Sequence, residues 1–143
     1  MNILNWAILI FAILETLNIL TLYFAPGTRR GNGLGVFVAY EESKQYPSIH
    51  NLIKYLIYWV AGTKVIFIVL LIVIIITGTW QTQLLAVGAL ILSILVFYWR
   101  LYPLIREADK AGNITPKGYS KTLAIMIAAF IILFAVAFII AIL

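Results

Sequence analysis

Glu15 and Asn18 stand three residues apart in the run IFAILETLNIL, inside an apolar stretch that extends from about Ile3 to Phe24. Residues at this spacing share a helix face, so a carboxyl group and an amide would be presented together near the middle of the stretch. Two kinds of chemistry fit such a pair. The carboxyl group could take up and release a proton or a small cation on a transport path, a usual role for an acid at mid-membrane depth. Alternatively it stays neutral and holds helices together through a hydrogen bond to Asn18 or to a backbone carbonyl.

Lys64 is a second charge within an apolar block. Glu15 is eight residues from Tyr23, whereas Lys64 is five from Trp59, so the two sit at different distances from the flanking aromatic belt. Helical side chains also lean toward their own N-terminus, and these two segments are expected to run in opposite directions. Depth and lean together predict no direct pair. Lys64 is expected to snorkel along its four-carbon stem to the headgroups.

A third group is cationic. Arg29 and Arg30 follow Pro26-Gly27, while His50, Asn51 and Lys54 open the second long segment and Arg100 closes the third. At similar depth these residues form an expected rim for an anionic headgroup or ligand. Gly31-Asn32-Gly33-Leu34-Gly35 is a pliable loop beside the two arginines, and its N–H groups could cradle a phosphate. No Lys-Ser/Thr follows these glycines, so the loop is not of the nucleotide-binding type.

The inventory argues against most enzymes. The chain has no Cys, one His and one Asp, which leaves no thiolate nucleophile, no usual zinc ligand set, no bis-histidine haem and no Ser-His-Asp arrangement. No catalytic residue, metal or cofactor is assigned, and no nucleic-acid partner is expected.

The elements that must carry these groups are membrane spans. Of 143 residues, 64% are hydrophobic and 10% charged, against about a quarter charged in soluble domains. A hydrocarbon core about 30 Å thick needs roughly 20 apolar residues of helix, and residues 3–24, 55–77, 84–102 and 123–143 each supply such a stretch. The first is read as a retained span, because Met1-Asn2 is not basic and no small-x-small pattern follows. The expectation is one all-α domain over 1–143, an integral membrane protein built as an antiparallel four-helix transmembrane bundle.

The charges orient it. Arg29, Arg30, Lys44 and Lys54 fall in or just after the first connection, and Arg100, Arg106, Lys110, Lys117 and Lys121 in the third, while Gly78-Thr79-Trp80-Gln81-Thr82-Gln83 has none. The positive-inside rule then predicts two long cytoplasmic connections and both termini outside, in the plasma membrane of a prokaryote, facing anionic headgroups on the cytoplasmic side. Trp6 and Trp80 fall at the predicted outer boundary, Trp59 and Trp99 at the inner one.

Locally, Ser48 is expected to cap a helix running from about Ile49 to Thr77, and Thr115 to cap the last helix with Pro116 in its first turn. Val36–Tyr40 is too apolar for an open loop and should lie at the interface or under the helices. Ser120, Ala124, Ala128 and Ala135 allow close helix approach, and a second small set, Ala137 and Ala141, leaves a face for a homo-oligomer.

A lone glutamate midway along the first of four helices, in IFAILETLNIL, resembles the small multidrug resistance transporters. That resemblance implies proton–cation exchange at Glu15. Helix three carries Gly88 alone where that family has a glycine-rich face. The layout, with a long first loop, a short outer loop and the basic segment Tyr98-Trp99-Arg100-Leu101-Tyr102, also looks like the membrane-associated glutathione-utilising enzymes. Their Arg-x-x-Asn-x-x-Glu motif has no counterpart in SIHNLIKYLIYW. The leading expectation is transport or conductance of protons or a small cationic solute through Glu15. A non-catalytic anionic-lipid-binding or scaffold role comes second, and a small membrane enzyme using an anionic cofactor or lipid third.

Overall fold

The computed structural model describes residues 2–143, and it is helical almost throughout. Helix α1 (Ile3–Phe24) starts where the Asn2 side chain accepts the Asn5 N–H, and it stops before Pro26, which has no N–H to continue it. A single 3₁₀ turn (Leu34–Val36) and the short α2 (Val38–Ser43) fill the first connection. Helix α3 (Pro47–Thr77) is followed by Gly78 and then α4 (Trp80–Leu95), α5 (Phe97–Lys110) and α6 (Tyr119–Ile142). Helices α1, α3 and α6, and α4 with α5 taken as one segment, are long and apolar enough to cross a membrane. Their outer faces leave residues such as Ile76, Leu85 and Leu92 about three-quarters exposed. A soluble monomer does not leave so continuous an apolar surface open.

Three local expectations change. Pro47, not Ser48, opens α3, since its fixed φ suits the first turn and its missing N–H costs nothing there. The third span is not one helix over 84–102. Val96 divides it, with the N–H groups of Val96 and Trp99 turning back to the carbonyls of Ser93 and Val96 in tightened three-residue steps. The last helix starts at Tyr119 rather than next to Thr115. The Thr115 N–H is taken by the Val36 carbonyl at 2.8 Å, which holds that segment out of a helix. Asp109 supplies the cap instead, as described below.

Helix α1 lies between α3 and α6, and α6 also packs on α4 and α5. Phe11 sits at the centre, edge-on to Phe67, Phe130 and Phe134 with ring centroids 5.2–6.1 Å apart, contacts worth about 0.5–1.5 kcal/mol each beyond their area. Ala137 is buried in this core. Ala141 packs against the same core while staying partly buried, so the second small set on the last helix makes contacts within the chain.

The two long connections meet beneath the helices. Phe37 and Ile114 form an antiparallel bridge, with the Val38 N–H on the Asn113 carbonyl at 3.0 Å. Val36 and Ile114 pack with Ile105 and Leu123, and Tyr40 with Leu22, Ile57 and Ala61. The apolar Val36–Tyr40 segment thus packs under the spans, as its composition predicts. Along this half of the molecule no Cα of α3 comes within 8 Å of one in α5. A cleft separates them.

Candidate functional site: an ion pair at the head of a cleft

Lys64 Nζ donates to Glu15 Oε2 at 2.6 Å, with the side chains 26% and 18% exposed. This corrects the expectation that Lys64 snorkels away. Aligning Tyr23 with Trp59 leaves only three residues, roughly 4.5 Å, between the depths of the two charges, and a lysine stem covers that distance. The packing removes even this gap: Tyr23 stacks on Tyr58, and Phe11 meets Phe67, which brings Lys64 level with Glu15. The lean of helical side chains is a rotamer preference costing about 1 kcal/mol to violate. Two unpaired charges in a low-dielectric interior cost several each. Pairing wins.

Asn18 does not bond Glu15. Its Oδ1 is buried with no partner, and Glu15, whose carboxylate accepts from Lys64, has no hydrogen to offer it. Thr16 and Thr21 use their hydroxyls on the carbonyls of Ala12 and Leu17, within α1. Asn18 therefore brings to the site a carbonyl oxygen without a donor.

Three cavities border the pair. One, of about 260 Å³, lies between α1 and α6 and is lined by Glu15, Asn18 and Thr21. The second, about 390 Å³, is lined by both Glu15 and Lys64 and by Phe97, Leu101 and Tyr119. The third, about 450 Å³, lies in the cleft where Lys64 faces Leu101 across apolar walls of Ile53, Ile57 and Val60. Asn32 lines all three. Sequence reading missed it as a site residue, although an Asn between two glycines in Gly31-Asn32-Gly33 was the available signal.

The loop that carries the exposed Asn32 is held by its own hydrogen bonds. The Leu34 N–H donates to the Pro26 carbonyl at 2.7 Å and the Gly35 N–H to the Thr28 carbonyl at 3.1 Å, while Tyr119 Oη reaches the Gly31 carbonyl at 3.1 Å. Gly33 and Gly35 are glycines because a Cβ on either would overlap a backbone carbonyl, of Thr28 or Gly27. The N–H groups of Gly33, Leu34 and Gly35 are all engaged within the loop, so the phosphate cradle is not formed from them.

The residues of the expected cationic rim lie away from these cavities. Arg29 and Arg30 are exposed, Arg100 lies over the Trp99 ring at 5.2 Å, and Asn51 and Lys54 are exposed. His50 is tied by Nδ1 to Ser43 Oγ at 2.9 Å and lies against the Tyr40 ring. None of these six lines any of the three cavities.

A second polar cluster lies at the end of α5, beyond the apolar stretch that closes near Tyr102. Asp109 accepts the Gly118 N–H at 2.9 Å on one oxygen, and the Ser120 N–H at 2.9 Å and the Ser120 hydroxyl at 2.6 Å on the other. The Ser120 hydroxyl, followed by the Gly118 N–H, holds this carboxyl below the usual carboxylate range, against a desolvation that works the other way. One side chain thereby closes α5 onto α6.

No protein-family model, curated protein or solved structure matches this chain. The site must be interpreted from its own chemistry.

Proposed function

We propose that the protein moves protons or a small cationic solute across the membrane by exchange at Glu15, with Lys64 as the resident counter-ion. The observation that carries this reading is the 2.6 Å pair bordered by open volume on both partners. A closed structural salt bridge would be packed around. Here a proton or cation taking over the Glu15 carboxylate leaves Lys64 free to swing on its stem into the cleft between α3 and α5. While the carboxylate is occupied the site carries the one positive charge of Lys64, which the cleft must accommodate. When the carboxylate is emptied, Lys64 returns and restores a neutral pair, the favoured state because an unpaired charge at this depth costs at least ~2.5 kcal/mol. Asn18 Oδ1 and the Asn32 amide are the neutral groups able to accompany the moving charge.

In this proposal the bundle is antiparallel, the two long connections face the cytoplasm and both termini lie outside, a reading supported by the distribution of Lys and Arg. The test is pH-driven flux in liposomes carrying the purified chain. Wild type is expected to dissipate an imposed pH or cation gradient, and both Glu15→Gln and Lys64→Gln to fall to the rate of empty liposomes. Flux that survives Glu15→Gln in folded protein sinks the reading.

A further inference from the structure

The residues of the rim expected from the sequence line none of the cavities around the ion pair, whereas four other cations, all exposed, line one hollow. Arg106 and Lys110 stand four residues apart on α5, and Lys117 and Lys121 flank the start of α6. Residues at that spacing share a helix face, and all four line one hollow of about 410 Å³. Among the described residues, no acidic group lies within 4 Å of any of them. The acid in the hollow, Asp109, has both oxygens hydrogen-bonded to Gly118 and Ser120, and its charge acts on Lys117 alone among the four, leaving the hollow net positive. Those same bonds clamp the end of α5 to the start of α6, so the four cations cannot relieve their repulsion by letting the helices part. The positive-inside rule accounts for cations at this end of the molecule. It does not account for four of them around one concavity while Arg29, Arg30, Lys54 and Arg100 line neither this hollow nor the three cavities around the ion pair.

We propose that this hollow binds a phosphoryl group. Tetrahedral phosphate oxygens can accept the planar fork of Arg106 and the three ammonium groups as charge-assisted hydrogen bonds. The hollow begins at Tyr102, where the apolar stretch of α4 and α5 gives way to Arg106-Glu107-Ala108-Asp109-Lys110. This is the depth at which a bilayer places its own phosphates. The phosphoryl group belongs either to an anionic phospholipid or to a soluble phosphate.

The full chain in zwitterionic nanodiscs would be titrated with inorganic phosphate and followed by phosphorus NMR line broadening. In parallel, discs containing a minor fraction of phosphatidylglycerol would be analysed by native mass spectrometry for retained anionic lipid. Arg106→Gln/Lys117→Gln is expected to weaken the binding by about 25-fold, at roughly fivefold per cation. Arg29→Gln/Arg30→Gln, which removes the same charge from the same end, should change it by less than about twofold. Should the first variant not purify folded, Lys110→Gln/Lys121→Gln removes the other half of the hollow and carries the same expectation. Lipid retention without a phosphate response assigns the site to a headgroup, and a phosphate response assigns it to a soluble group. Absence of both in wild type, or equal losses in the two charge-matched variants, overturns the proposal.

Discussion

At the scale of residues, the molecule turns on two carboxylates that solve burial in different ways. Glu15 is paired with a cation from another helix, whereas Asp109 keeps its charge and is stabilised by three hydrogen bonds. Removing one partner of a part-buried ion pair leaves a partly solvated charge, at a cost below the ~3–5 kcal/mol of a fully buried pair. Glu15→Gln or Lys64→Gln alone should therefore lower stability in detergent by about 1–3 kcal/mol, and the double variant should recover most of it, as measured by a double-mutant cycle of unfolding. Asp109→Asn should cost roughly 2 kcal/mol, the range for hydrogen bonds to a charged group. Because folding depresses the Asp109 carboxyl, its contribution is complete above the unfolded value of about 3.9 and is lost as pH falls from there through the folded one. Acid loosening of the α5–α6 end, followed by proteolysis, is expected to begin only below about pH 4 and to be absent in Asp109→Asn. The sequence made Glu15 conspicuous because a lone acid in an apolar run is rare. It concealed the pairing with Lys64, which depends on how α1 and α3 are set against each other.

At the scale of elements, the Gly31–Gly35 loop acts as a positioning device. Its glycines read as flexibility in the sequence, whereas in the fold Gly33 and Gly35 are close-approach positions against the Thr28 and Gly27 carbonyls. Gly35→Ala forces backbone apart and should cost about 1–3 kcal/mol as an overpacked site. It should also abolish the proposed flux by withdrawing Asn32 from the cavities. Gly31→Ala, at φ 59° but with open space around it, should cost only about 1 kcal/mol and leave flux in place. Comparing the two variants in the liposome assay separates loop placement from loop strain. The break at Val96 belongs to the same scale: hydropathy ran through it without a mark, because it changes hydrogen-bond spacing and not composition.

At the scale of the whole molecule, the orientation is open to a direct check. The chain has no Cys, so single cysteines report without background. Gln81→Cys and Gln45→Cys, both at exposed positions outside the apolar core, should react with an impermeant maleimide from opposite sides of the membrane. In intact cells Gln81→Cys is expected to label and Gln45→Cys only after lysis; the reverse pattern would invert the proposed topology.

What could be read without coordinates was whatever hydropathy, charge and spacing encode along one dimension. That covered the four apolar helices, the apolar Val36–Tyr40 segment and the isolation of Glu15. Spans are legible because a bilayer imposes its thickness on every helix separately. The rest depended on relations between helices that no single stretch contains. The register of α1 on α3 joined Glu15 to Lys64, the divergence of α5 from α3 opened the cleft, and the loop carried Asn32 into it. The Asp109 clamp brought together four cations from α5, α6 and the connection between them. Side-chain packing and hydrogen bonding set each of these relations, and both act across distances in sequence that periodicity does not reach.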